Sequence, residues 1–446
     1  MRRMLKYITL VLMVLMISGS AWALSYNDHI TVAPNNKGDL LIFPWYLVLD
    51  GGWQTKLTVV NTNESECVVA KLVIRSFKVS EELLDFFIYL SPADVWTGVL
   101  RYDAKLKRVV MYSNDDSILS QLTPTLVWAN VTPVNQPMFA TTCSGDADYL
   151  GYIEVITIAA GWVDKGPRFT DVPGVKKVDI FNAYEGLLKA GGDPKGLRFN
   201  GDYPQGTRAN WLSGFMQLQN VGAGLNSSLS ATAMKDYGNL EQATTSKETI
   251  LGRESLNNLG EIEAALSKDD IAAPYVNGDD IALHFFTFPT KLKQIVDAAT
   301  CLTANPLGPY FAVNGECPIY YNYIYDLQEN TPKSGSPFSG GGSTTFNFCY
   351  EVNYVDGTIF DYAEGWAHYL FNDPTIAHKR TNTVNRLGDF IGYAGTPTIP
   401  TFAHVGLGGL TINNASWTDD LVYCSALANS ILVDYQYTDS TLCSAP

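Results

Sequence analysis

The sequence predicts a mainly β protein, with tandem immunoglobulin-like antiparallel β-sandwiches joined by a mixed α/β bridging insertion. Three observations predict it. Between Trp53 and Gly98 three runs in succession alternate apolar and polar residues with a period of two. Short runs of this kind are separated by turn residues at the spacing of a sandwich. After a less regular middle, β-like runs return from Asp280 onward.

Taken in order, the chain opens with a segment expected to lie outside the fold. Arg2, Arg3 and Lys6 precede an apolar core, Tyr7–Ile17, and Ala21 and Ala23 stand where a signal peptidase reads small residues. Residues 1–23 are therefore expected to be a Sec signal peptide cleaved after Ala23, with no transmembrane segment in the remainder. Residues 24–165 are expected to form an N-terminal β-sandwich domain. It would start with a strand at Asp39–Phe43 stopped by Pro44, and a second short piece at Trp45–Leu49. Leu57 and Val59 alternate with Lys56 and Thr58. Val68, Ala70, Leu72 and Ile74 line one face of the next run, with Lys71 and Arg75 on the other, which predicts a half-buried strand. Phe86, Ile88 and Leu90 repeat the pattern, a hairpin joins Trp96–Tyr102 to Arg108–Ser113, and Gly151–Trp162 closes the domain.

Residues 166–269 are expected to be the mixed helical and loop bridging region. Helical spacing occurs over Val175–Lys189 and again over Arg253–Lys268, with one clear strand at Leu212–Leu218. Residues 270–446 are expected to form the C-terminal β-rich domain. The two β regions share landmarks in order, Phe43-Pro44 and Gly161-Trp162 in the first, Phe288-Pro289 and Gly365-Trp366 in the second. A diverged duplication would give that order, and an unmatched strand order would remove the idea.

Charge and cysteine content narrow the classes of function. Without the signal peptide's three cations, 27 Lys and Arg face 45 Asp and Glu, a net charge of −18. On that ground nucleic acid and anionic lipid surfaces are expected to be poor partners, with no nucleic-acid binding, while proteins and glycans remain. Seven cysteines in an exported chain predict disulfides. The expected pairs are Cys67 with Cys143, Cys317 with Cys349 and Cys424 with Cys443, leaving Cys301 over. The Cys317–Cys349 loop of about 30 residues would gain roughly 3–4 kcal/mol from closure entropy.

Catalytic signatures are sparse. There is no HExxH, G-x-S-x-G or P-loop pattern. Glu364 with His368 and His378 is a weak metal candidate, and Glu81, Glu82 and Asp85, or Asp361 with Glu364, are weak acid–base candidates. Calcium is better motivated as a structural cofactor. Asp115 and Asp116 after Asn114, Asp146 with Asp148, and Asp279 and Asp280 after Asn277-Gly278 are oxygen-rich turns. Asx-rich turns between strands also form without metal. Tyr321, Tyr323 and Tyr325 alternate onto one face and could stack sugars, contact a subunit or pack in a core.

Several segments together carry a family resemblance: Thr58–Thr62, Leu84–Gly98 (LDFFIYLSPADVWTG), Gly151–Val155 (GYIEV), Phe286–Lys291 (FTFPTK) and Glu364–Phe371 (EGWAHYLF). The chain resembles a family of uncharacterised secreted and surface proteins of Gram-negative bacteria. The resemblance implies export and a surface or extracellular location, and it supplies no catalytic residue. The reading that follows is a secreted, non-enzymatic structural or interaction protein of the cell surface or extracellular space, capable of self-association. The alternative is a carbohydrate-binding module or glycan-active enzyme.

Overall fold

Alternating side chains along Trp53–Gly98 give paired antiparallel strands whose apolar faces meet a second sheet. The computed structural model describes residues 30–49, 52–78, 81–113, 115, 134–138, 148–163, 175–190, 196–204, 206–222, 224–237, 266, 270–276, 282–289, 295–297, 302–303, 319–326, 344–347, 352–356, 362, 364–370 and 401–406. The strands of the first body are β1 (Thr31–Val32), β2 (Leu40–Leu47), β3 (Trp53–Asn61), β4 (Cys67–Ser76), β5 (Glu82–Leu90), β6 (Val95–Asp103), β7 (Arg108–Ser113), β8 (Val134–Pro137) and β9 (Leu150–Gly161). After helix α1 (Lys177–Ala190) come β10 (Arg198–Phe199), β11 (Leu212–Asn220), β12 (Leu225–Ser230) and β13 (Thr232–Lys235).

These strands form two antiparallel sheets. A seven-stranded sheet runs β1-β13-β2-β9-β4-β5, with β10 beside β9, and a six-stranded sheet runs β12-β11-β3-β6-β7-β8. Leu57, Val59, Trp96, Leu100, Met216 and Leu218 of the six-stranded sheet share one core with Val68, Ala70, Leu72, Ile74, Ile153 and Val155 of the other. Each set follows the period of two, as a sandwich interior requires.

Three features differ from the sequence reading. Pro44 does not stop the first strand: β2 runs through it to Leu47, with a register shift between Phe43 and Tyr46. A bulge leaves a residue outside the ladder, so proline's missing N–H costs no pairing there. Residues 198–235, expected in a bridge, add strands to both sheets, with β11 pairing β3 along nine residues. The third difference is β4, which is not half-buried. All ten of its residues are buried, including Lys71 and Arg75.

The outer face of the seven-stranded sheet is covered at one end by α1. Ile180, Tyr184 and Leu187 recur at helical spacing and pack on Val69, Phe87, Tyr89, Ile156 and Ile158. The helix starts where Asp179 Oδ2 accepts the Lys176 amide at 2.9 Å. The second expected helix, Arg253–Lys268, lies outside the described residues except for Leu266.

The later strands are β14 (Asp270–Val276), β15 (Ala282–Thr287), β16 (Ile295–Asp297), β17 (Leu302–Thr303), β18 (Ile319–Asp326), β19 (Thr344–Asn347), β20 (Val352–Asp356), β21 (Glu364–Leu370) and β22 (Thr401–Gly406). They make a four-stranded sheet, β14-β21-β18-β19, a three-stranded sheet, β20-β15-β22, and a β16-β17 pair. Phe43-Pro44 and Gly161 lie on the paired strands β2 and β9, whereas Phe288-Pro289 follows β15 and Gly365-Trp366 lies on β21, in a different sheet. The landmarks thus occupy unequal places and do not mark a repeated strand order. Instead the two Phe-Pro segments meet. Trp45 stacks on Phe285 with centroids 4.7 Å apart, and Thr287 Oγ1 donates to the Pro44 carbonyl. Val352 N donates to Phe77 O at 3.0 Å and Tyr152 Oη to Pro289 O at 3.3 Å, fastening the three-stranded sheet to the first body.

Two interior details hold the sandwich in register. Asp39 is fully buried and accepts from Asn200 Nδ2 at 2.8 Å and Tyr237 N at 2.9 Å, tying β2 to the segments before β11 and after β13. Burial pushes its carboxyl well above the usual carboxylate range against those two hydrogen bonds. Gly151, on β9, sits where an added Cβ would run into the Arg75 carbonyl and meet Tyr46 Cε1 at 2.7 Å. Gly151→Ala is expected to cost about 1–3 kcal/mol or more by forcing β9 from β4. A urea-unfolding midpoint matching that of the parent would refute this close approach.

Candidate functional site

Among the described residues, a group of paired titratable side chains lies on the outer face of the seven-stranded sheet, where β5, β4 and β9 run side by side. Register sets the group out in rows. Asp85 and Glu154 flank Val73, Phe87 and Ile156 flank Lys71, and Glu82 and Tyr152 flank Arg75. Lys71, Val73 and Arg75 share this face because successive residues of a strand alternate.

Two ion pairs cross the strands. Arg75 Nε lies 3.3 Å from Glu154 Oε2, with both side chains at most 1% exposed. Lys71 Nζ lies 2.8 Å from Asp85 Oδ2, which is 34% exposed and marks the rim of the group. Glu82 is half-buried beside Asp85. Burial pushes the Glu82 carboxyl upward, helped by the neighbouring Asp85 charge and opposed by Lys71 and Arg75. Glu154 is also raised, by burial first, while Arg75 holds it down in part.

The group joins the cations Lys71 and Arg75 to three carboxyls, of which Glu82 and Glu154 have raised proton affinity. They are bound to one another across three strands, so their chemistry is that of a registered ionic lock. A one-residue slip of β4 would turn Lys71 and Arg75 into the apolar core and separate both pairs.

Glu81, Glu82 and Asp85, weighed in sequence as an acid–base set, are thus divided. Asp85 is committed to Lys71, Glu82 lies in the lock, and Glu81 N donates to Ser76 Oγ at 2.9 Å in the β4–β5 turn. Glu364 is exposed at the start of β21, and Asp361 and His378 lie outside the described residues. His284 is buried on β15, with Nδ1 2.6 Å from Tyr369 Oη and His404 as its register partner on β22.

Of the calcium candidates, Asp115 is half-buried after β7, with its amide donating to Ser113 Oγ at 3.2 Å. Asp116, Asp279 and Asp280 lie outside the described residues. Asp148, from the same set of turns, accepts the Val109 amide at 3.1 Å, and burial raises its carboxyl. Among the described residues no group of three His, Cys, Asp or Glu side chains is placed to hold a metal ion. Cys67 is buried in the second core, and Cys143, Cys301, Cys317, Cys349, Cys424 and Cys443 lie outside the described residues. Tyr325 stacks on Trp366 at 4.4 Å, while Ile324 faces the interior.

Sequence reasoning missed the lock, although a signal for it was present. Val69 and Val73 on β4, and Ile156 and Ile158 on β9, put apolar groups on the face assigned to solvent. Apolar residues on both faces of a strand indicate burial on both sides. Isolated charges inside such runs are then expected to be paired.

The other sheet differs. The outer face of the six-stranded sheet carries Phe215 and Val95, each more than 40% exposed, among half-buried Gln54, Lys56, Gln217 and Gln219. Comparison with protein-family models, curated proteins and solved structures finds no match for this chain. Among the described residues no helix is long and apolar enough to cross a membrane.

Proposed function

We propose that this chain is an exported, non-enzymatic interaction protein of the cell surface or extracellular space, built on tandem immunoglobulin-like sandwiches. One observation carries the reading. The seven-stranded sheet has its outer face covered and its ionisable groups locked together, while the six-stranded sheet presents an outer face with apolar and amide side chains accessible. Surfaces of that composition are where proteins recognise partners. The signal-like first 23 residues and the family resemblance support the location.

The test is co-sedimentation of the mature protein with washed Gram-negative cell envelopes, alongside size exclusion. Recovery in the envelope fraction, reduced by Phe215→Asp without a shift in unfolding midpoint, is the expected result. A monomer that stays in the supernatant would sink the proposal.

A further inference from the structure

The outer face of the six-stranded sheet is poor in acidic side chains. Its outward positions include Gln54 and Lys56 on β3, Arg101 on β6, Phe215 and Gln217 on β11 and Tyr112 on β7, whereas Thr58 and Val110, which alternate onto the same face, are buried. None of these is acidic, in a chain with 45 Asp and Glu and a net charge of −15. Asp103, at the hairpin end of β6, is occupied by the amides of Lys105 and Leu106 at 2.9 and 3.0 Å.

Register arranges the side chains in rows that cross the strands. One row reads Ser228, Gln217, Lys56, Val99, Tyr112, and the next Ser230, Phe215, Thr58, Thr97. The amides are held in place before any ligand arrives. Gln54 Nε2 donates to Gln219 Oε1 at 3.5 Å, and Gln219 Nε2 donates to Gln217 Oε1 at 3.3 Å. Arg101 lies over the Tyr112 ring at 4.7 Å, so a guanidinium and an aromatic plane are stacked as one platform.

We infer that this face binds an extended acidic polysaccharide, a glycan chain bearing carboxylates on its sugar units. This deepens the interaction reading above and rests on it. Preset amides and hydroxyls supply donors and acceptors for ring hydroxyls, and Phe215 and Tyr112 supply faces for the C–H side of a sugar. Lys56 and Arg101 meet the carboxylates, whereas Arg108 stands opposite Asp103 and beside the Asp148 carboxyl. Strands about 4.8 Å apart offer side chains across the sheet at close to the repeat of an extended pyranose chain. Acids elsewhere on the protein are screened beyond about 8 Å at physiological salt, so the local cations decide the contact. A second copy docking by the same face would set Lys56 and Arg101 against like charges.

Affinity electrophoresis of the mature chain in native gels cast with polygalacturonate, or with neutral dextran, tests the inference. Polygalacturonate is expected to retard the protein, less so at higher salt, and dextran to leave it unaffected. Phe215→Ala and Lys56→Glu should each weaken the retardation about tenfold, equivalent to 1.4 kcal/mol, with urea midpoints unchanged. No retardation, equal retardation by dextran, or full retardation of both variants would overturn the inference. So would a concentration-dependent dimer abolished by Phe215→Ala, which assigns the face to a second copy. Envelope co-sedimentation that persists without polygalacturonate binding removes the polysaccharide and leaves the broader interaction reading intact.

Discussion

Replacing Arg75 by methionine is expected to lower stability by about 3–5 kcal/mol, because it strands the Glu154 carboxylate in the interior. Arg75 is 1% exposed and Glu154 fully buried, so water cannot take over the lost partner. The double change Arg75→Met with Glu154→Leu removes both charges and should recover most of the loss, since a buried ion pair adds little over packed apolar groups. Urea unfolding of the two single variants and the double gives the coupling directly. A single variant within about 0.5 kcal/mol of the parent would mean that the pair is solvated.

The same lock sets a pH dependence. Glu82 and Glu154 both have folded proton affinities above the ordinary glutamate value of 4.5. In the window just above that value the folded chain holds protons that the unfolded chain releases. These two groups therefore add most to stability below 4.5 and lose that contribution as pH rises through their folded values. Glu154→Gln should flatten this part of the profile. A parent whose stability rises steadily from acid to neutral pH, with an unaltered slope in Glu154→Gln, would show that other carboxylates dominate.

How far the sequence revealed these features depended on the range of the contact. Neighbour-scale patterns were readable: the alternation of β3 and β5, the β6–β7 hairpin, and the helical spacing of Ile180, Tyr184 and Leu187 all follow from local periodicity. The burial of Lys71 and Arg75 depends on partners distant in sequence, such as Glu154 on the neighbouring strand β9, at a separation of 79 from Arg75. Charge at alternate positions normally means solvent, so the local rule gave the wrong side. The continuation of β2 through Pro44 was hidden for a related reason, since a bulge is set by the partner strand. The acid-poor face was spelled out residue by residue but dispersed over β3, β6, β7, β11 and β12, and only register assembles it.

Trp96→Ala is expected to cost about 3–5 kcal/mol through lost burial and the cavity left behind. The indole is fully buried, tilted against Phe86 with centroids 5.7 Å apart, and its Nε1 has no hydrogen-bond partner. Its contribution is therefore volume. Trp96→Phe should retain more than half of it, because no polar contact is lost. The space the ring occupies is shaped by Gly98, where an added Cβ would meet Trp96 Cη2 at 2.5 Å, Cζ2 at 2.8 Å and the Met111 sulfur at 2.9 Å. Gly98→Ala alone should thus destabilise by overpacking, about 1–3 kcal/mol. Combined with Trp96→Phe, which withdraws the two colliding atoms, it should cost less than the sum of the single changes. The turn before β6 fixes the ring's entry: Asp94 Oδ2 accepts from Ser91 N at 2.9 Å and from Ser91 Oγ at 3.0 Å, and Asn61 N donates to Asp94 O at 2.9 Å. Asn61 Nδ2 donates to the carbonyls of Glu66 and Ser91 at 2.8 and 2.9 Å, so the corner is held from both strands that precede it. Strict additivity in the Trp96→Phe/Gly98→Ala cycle would show that the strand moves to accept the methyl and that this corner is soft; a coupling above about 0.5 kcal/mol is the expected result.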